Sequence, residues 1–150
     1  MSRVVVNEIE AKVGNDISFN DTVKIDTIKG KTTAGSVTVQ GENTATTNLQ
    51  QGLAKAWIKF SGSAASIHGS FNISSLTDNS TGDYSPNFTN NMNTSNNFAA
   101  TAAGQDTNTR TNVHFSFEGQ SASDINIEYY EGGSKADCVR VASIITGDLA

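Results

Sequence analysis

Lys55, Trp57 and Lys59 fall at alternate positions, so in a strand they place an indole between two ammonium groups on one face. An exposed aromatic flanked by cations is either a platform for a sugar ring or an anchor covered by a neighbouring subunit. Packing against a subunit is the preferred reading here. A second group, Asp78-Asn79-Ser80-Thr81-Gly82-Asp83, offers oxygen ligands at alternate positions, as the start of a calcium loop does. The residues after Asp83 are YSPNFT, which supply no downstream acidic ligand, so a polar hairpin turn ending at Gly82 explains the pattern better. His68, His114 and the single cysteine, Cys138, complete a zinc ligand set only on paper, although one histidine per chain around a threefold axis would supply three ligands. No metal or other cofactor is expected. The carboxylates Glu128 and Glu131, or Asp78 and Asp83, would have to flank a glycosidic bond to hydrolyse it. They sit instead in turns and on outward strand faces. The chain has no G-x-S-x-G elbow, P-loop or H-E-x-x-H helix, so no enzymatic activity is expected.

Other counts narrow the class. Ser, Thr and Asn make up 50 of the 150 residues, and such a chain generates N-x-[ST] triplets by chance. Asn20, Asn72, Asn79, Asn87 and Asn93 are therefore not read as glycosylation sites. One cysteine rules out a disulfide within the chain, and in an apolar run it acts as a small buried hydrophobe. Residues 1–60 carry seven Lys/Arg and six Asp/Glu, whereas residues 61–150 carry three and nine. So acidic a C-terminal part is repelled by phosphate, and nucleic acid is not an expected partner. No stretch approaches the roughly 20 apolar residues of a membrane span, and MSRVVVNEIEAKVG lacks a signal-peptide apolar core. The expectation is synthesis in a cytoplasm with no membrane insertion.

The elements that must hold these residues are strands. Apolar residues are mostly β-branched or aromatic and come in short spaced runs, which points to an all-β class. Residues 1–52 read as an arm and neck. Apolar pieces recur at Val4, Val5, Val6 and Ile9, then Ile17 and Phe19, Val23 and Ile25, and Val37 and Val39, with strand-like alternation in DISF, TVKID and SVTVQ. No single strand of this kind buries its own face. Either such an arm is a disordered tail or several identical arms pool their apolar faces; the second is the expectation, and a threefold axis lets three arms share one core. Ile17, Phe19, Val23, Ile25, Val37, Val39 and Trp57 are accordingly expected at a trimer interface, and Val4, Val5, Val6 and Ile9 at a docking site on another protein. Residues 43–52 carry no strand signal; Leu49 and Leu53, four apart, suit one helical turn.

Residues 53–150 read as an antiparallel β-sandwich of jelly-roll type, a knob on the arm. Seven strands are expected: Lys55–Phe60, Ile67–Ile73, Asp83–Phe88, Phe98–Ala103, Asn112–Glu118, Asp124–Tyr130 and Cys138–Ile145. Alternation sends Ile58, Phe60, Phe115, Phe117, Ile125, Ile127 and Tyr129 inward, and Lys55, Lys59, His114, Glu118, Asn126 and Glu128 outward. Pro86, the only proline, lacks a ladder donor, so its strand should be an edge or bulged one.

Two segments carry a family resemblance: LAKAWIKFSGS (Leu53–Ser63) and GSFNISSLTDNSTGDYSPNFTNNM (Gly69–Met92). They resemble a module of tail-fibre and virion structural proteins of marine bacteriophages, cyanophage- and pelagiphage-like. The opening MSRVVVNEIEAKVGNDISFNDTVKIDTIKGKTTAGSVTVQG is similar to N-terminal segments of such proteins. Ser80 stands where that family has a glycine, and Pro86 interrupts the strand that follows. The resemblance implies a homotrimeric appendage of the virion, docked on a phage tail or capsid protein by its arm and presenting a knob to a host surface glycan or protein. It names no catalytic or ligand residue. A capsid decoration or cement protein is the alternative, and a surface-polysaccharide hydrolase a more remote one.

Overall fold

The computed structural model describes residues 22–30, 37–40, 46–105 and 113–150. The described chain is all-β apart from one helical turn. The first elements form a two-stranded sheet in which β1 (Thr38–Gln40) lies antiparallel to β2 (Thr46–Asn48). The turn α1 (Leu49–Gly52) follows directly, and the Leu49 amide donates to the Val37 carbonyl at 2.9 Å. The helical turn expected of the neck is present, but β2 was not expected in so polar a stretch. It exists because the ladder to β1 satisfies the backbone regardless of side-chain apolarity.

Nine strands follow: β3 (Ala54–Ser61), β4 (Ser66–Phe71), β5 (Ile73–Ser80), β6 (Asp83–Phe88), β7 (Phe98–Gln105), β8 (Val113–Glu118), β9 (Asn126–Glu131), β10 (Ser134–Lys135) and β11 (Arg140–Gly147). They make two antiparallel sheets. One runs β4-β3-β11-β7. In the other, β9 pairs β8 along one edge and β6 and β10 along the opposite edge, with β5 beyond β6.

The inner faces of both sheets meet in one apolar cluster. Ile58, Phe60, Val141 and Ile145 come from the first sheet, and Tyr84, Phe88, Ile127 and Tyr129 from the second. Aromatic edges join them: Phe60 meets Tyr84 with centroids 5.1 Å apart, and Phe88 meets Phe98 at 5.9 Å, both edge-to-face. Tyr84 is completely buried, so its hydroxyl needs a partner inside the protein. It donates to Asp137 Oδ1 at 2.8 Å, and the same oxygen accepts the Gly82 amide at 2.8 Å. Burial first, and the Asp137 bond second, push the Tyr84 pKa well above the ordinary phenol range. The link ties the β5–β6 turn to the segment leading into β11. Gly62 completes the joint, since a Cβ there would meet the Cys138 carbonyl at 2.5 Å and the Tyr84 hydroxyl at 2.6 Å.

Several expectations need correction. The Ile67–Ile73 strand is two strands in different sheets. They break at Asn72, whose φ of 57° is tolerated by a short side chain that bonds locally. Its amide holds the Asn90 backbone, accepting from N–H at 2.7 Å and donating to C=O at 3.0 Å. Pro86 lies not on an edge but in β6, between β5 and β9, and is buried; of the two alternatives it is the irregular ladder that is found, the β5–β6 register shifting between Ile73 and Ser75 and again between Asp78 and Ser80. Its carbonyl accepts from Ile125 at 3.3 Å, so its missing N–H falls on the side facing β9, where continuous pairing stops after Tyr84. The alternation in TVKID makes no strand: residues 22–26 lack strand pairing, and Val23, Ile25 and Ile28 are exposed. Isolated strands of that length have no ladder to hold them.

Candidate interaction face

Successive side chains of a strand point to opposite faces, and the register of the first sheet fixes which ones share its outer face. Trp57 on β3 stands opposite Phe71 on β4 and Ile144 on β11, and Ile144 stands opposite Thr101 on β7. Phe71 is 54% exposed, Trp57 39% and Ile144 52%. The result is a continuous aromatic and aliphatic row across three neighbouring strands, open to solvent. The next row reads Gly69, Lys59, Ala142, Ala103. A Cβ at Gly69 would come within 3.4 Å of the Trp57 ring, so the indole lies over the bare backbone of β4.

Beside the row is a shallow depression of about 240 Å³, whose lining includes Lys59, Ala103, Gln105, Arg140 and Ala142. Arg140 donates to Gln105 Oε1 at 3.3 Å, which orients the guanidinium along the rim. Lys59 and Arg140 are exposed, and neither has an acidic side chain within ion-pair distance among the described residues. The face therefore combines a flat apolar strip with two free cations.

Lys55 does not belong to this group. The β3–β11 register slips between Ile145 and Thr146, so Lys55 is the extra residue of a bulge, and it is 4% exposed. Its ammonium donates to the Leu53 carbonyl at 2.8 Å. Burial lowers its pKa, and the charge of Asp148 opposes that shift. Arg140, which sequence spacing did not connect to Trp57, takes its place as the second cation.

The outer face of the second sheet carries a polar network. Asp83 and Glu128 stand directly opposite each other, like charges that would repel, and Lys135 bridges them. Lys135 lies 2.7 Å from Asp83 Oδ2 and also pairs with Glu128 Oε1. Asn79 and Asn126 donate to Asp83 Oδ1 at 3.0 and 2.7 Å, and Tyr130 donates to Glu128 Oε2 at 2.7 Å. Burial alone would raise the Asp83 pKa, but these donors outweigh it and hold the carboxyl at about 2. Lys135's own bonds to Asp83 and Glu128 raise its pKa in turn. Glu128 does stand on the outer face, as alternation required, yet it is 3% exposed under Lys135 and Tyr130 and is not a solvated surface acid.

The remaining candidates fall as follows. Thr81 and Gly82 form the tight turn between β5 and β6, and both oxygens of Asp83 already accept N–H donors, leaving that carboxylate poorly placed for calcium. His68 lies exposed on β4 and His114 stacks on Tyr130 in the other sheet, 4.7 Å between ring centroids. Cys138 is buried just before β11, its thiol on the carbonyls of Arg140 and Gln105 at 3.0 and 3.2 Å. Among the described residues no three His, Cys, Asp or Glu gather as metal ligands. Of the expected trimer contacts, Val23, Ile25 and Val39 are exposed and Val37 is half-buried. Val4, Val5, Val6, Ile9, Ile17 and Phe19 lie outside the described residues. No helix among the described residues is long and apolar enough to cross a membrane. No family model, curated protein or solved structure matches the chain.

Proposed function

We propose that this chain is a non-enzymatic structural subunit of a bacteriophage virion, a short homotrimeric fibre on the tail or head. In this reading residues 1–52 are the docking and trimerisation arm. Residues 53–150 form a jelly-roll-like β-sandwich knob presented to the host surface. The observation that carries it is the open row Phe71–Trp57–Ile144. Monomeric proteins rarely leave contiguous aromatic and aliphatic side chains in water on a rigid sheet, and a subunit interface is the usual reason for one. The exposed Val23, Ile25 and Val39 fit the same picture, as side chains that a lone chain leaves uncovered. The phage assignment draws on the resemblance of Leu53–Ser63 and Gly69–Met92 to virion proteins.

A glycosidase reading has less support. Asp83 is ionised far below neutral pH, which disqualifies it as a general acid, and Glu128 is sealed beneath Lys135 and Tyr130. Light scattering on the purified chain tests the oligomer: three copies of 15.8 kDa are expected at micromolar concentration, and a monomer would sink the fibre. Labelling intact phage particles with an antibody to the chain tests the location. Projecting fibres should be decorated, whereas density stapling neighbouring capsomers would support a cement protein instead.

A further inference from the structure

The odd positions of residues 17–25 are Ile17, Phe19, Asp21, Val23 and Ile25, and the even positions between them are Ser18, Asn20, Thr22 and Lys24. In an extended chain the odd side chains share one face, so a single carboxylate sits in the middle of an apolar stripe that holds no cation. Ile17, Phe19 and Asp21 lie outside the described residues. Val23 and Ile25 lie within them and are 45% and 58% exposed, so they do not cover the row Phe71–Trp57–Ile144 of their own chain, which is open as well. That row has the complementary make-up. Lys59 adjoins it, two residues from Trp57 on the same face, and the strands β4, β3, β11 and β7 contain no Asp or Glu to neutralise it.

We infer that the segment 17–25 of a neighbouring copy lies along the outer face of the β4-β3-β11-β7 sheet, with Asp21 at Lys59 and an apolar residue over Trp57. The spacings agree. Asp21 is two residues from both Phe19 and Val23, and Lys59 is two from Trp57, a step of about 7 Å in either strand. Whichever way the segment runs, Asp21 at Lys59 therefore sets Phe19 or Val23 at the level of Trp57. The floor beside Lys59 is flat, because the other residues of its row are Gly69, Ala142 and Ala103. Three arms pooled on their own around a threefold axis would fare worse. Their stripes would bring three Asp21 carboxylates together with no cation among them, and like charges confined at a contact repel strongly. On the sheet each Asp21 meets a lysine instead, and the exposed row loses its water together with the stripe. A contact in which the arm of one copy takes the knob of the next joins unlike surfaces, and such a contact closes into a ring of three.

The inference rests on the self-association proposed above, and one experiment separates the two. Trp57 is the only tryptophan, so its emission reports on this face alone. The full wild-type chain is compared with Lys59→Glu, Asp21→Lys and the double variant by light scattering and by fluorescence on dilution. Lys59 is exposed and has no ion pair among the described residues, and circular dichroism checks that each variant folds. The wild type should assemble with blue-shifted emission that moves red as it dissociates. Each single variant should dissociate at least about tenfold more readily, and the double variant, whose charges are exchanged, should return to within about threefold of wild type. Single variants that assemble like the wild type, or a double variant no better than the singles, would overturn the inference. An assembled wild type whose Trp57 emission ignores dilution leaves the oligomer standing and removes this contact. A wild type that is monomeric throughout removes both ideas. If that monomer's emission is blue and turns red in Asp21→Lys, the arm covers the face of its own chain. If it shifts with a polyuronate but not with dextran, the face belongs to an acidic glycan.

Discussion

The bond between Tyr84 and Asp137 should reverse the sign of one mutation's effect depending on the other. Tyr84→Phe keeps a fully buried ring and removes only the hydroxyl. Asp137 is itself exposed and keeps its bond from the Gly82 amide, so the freed carboxylate is readily hydrated. The expected loss is one charge-assisted hydrogen bond, about 1.5 kcal/mol. Asp137→Ala acts on the other end of the bond. It strands the Tyr84 hydroxyl where no water reaches and also orphans the Gly82 amide, at about 1–3 kcal/mol for each unsatisfied group. About 3 kcal/mol is therefore expected. In the Asp137→Ala background, Tyr84→Phe deletes an orphaned hydroxyl and should be neutral or stabilising. The double variant should then lose about 2 kcal/mol, so the cycle closes with a coupling of about 2.5 kcal/mol. Urea unfolding followed by Trp57 fluorescence and circular dichroism measures all four proteins, with an unchanged m-value confirming comparable transitions. If Tyr84→Phe costs the same with and without Asp137, the bond does not hold β6 to the approach of β11 and the account is wrong.

Further outcomes are expected from the same structure. The folded pKa of Asp83, about 2, lies below its ordinary value of 3.8, so its contribution is present above pH 4 and disappears as pH falls towards 2. Asp83→Asn should flatten the acid limb of the stability profile over that window; an unchanged limb would show that the Lys135 bridge is immaterial. Gly82 has φ of 68°, and a Cβ there would come within 2.7 Å of backbone atoms of Ala136 and Tyr129. Gly82→Ala should destabilise by at least about 1–2 kcal/mol in thermal melts, and a neutral result would mean the turn is free to move. Cys138, 1% exposed, should resist iodoacetamide until the protein unfolds, and rapid labelling of the native chain would contradict its burial.

How much of this was legible in the sequence depended on whether the cause was local. Ile58 and Phe60, or Ile125, Ile127 and Tyr129, declare their buried face by alternation alone, and β6 begins and ends where its pattern does. By contrast β5 hides in ISSLTDNS. It is an outer strand with only Ile73 and Leu76 turned towards the core, so it reads as a polar turn. Lys55 follows the outward parity of Trp57 and Lys59 until a bulge, defined by the partner strand, turns it under. The candidate face was half visible. Trp57 and Lys59 are two residues apart, whereas Phe71, Ile144 and Arg140 reach them through cross-strand register that one chain's spacing does not encode. Glu128 and Lys135 meet because β9 turns back into β10, a two-residue strand too short to leave a pattern.

The strands β4, β3, β11 and β7 contain no Asp or Glu, and this bears on distance. Packed sheets are separated by about 10 Å, while charges in physiological salt are screened over about 8 Å. A body approaching from one side therefore senses little of the far sheet, and neither field reaches deep into solvent. Segregated charge of this kind is a poor beacon. It acts over the last few ångströms, so it sorts what already touches this sheet by charge far more than it draws anything in from a distance.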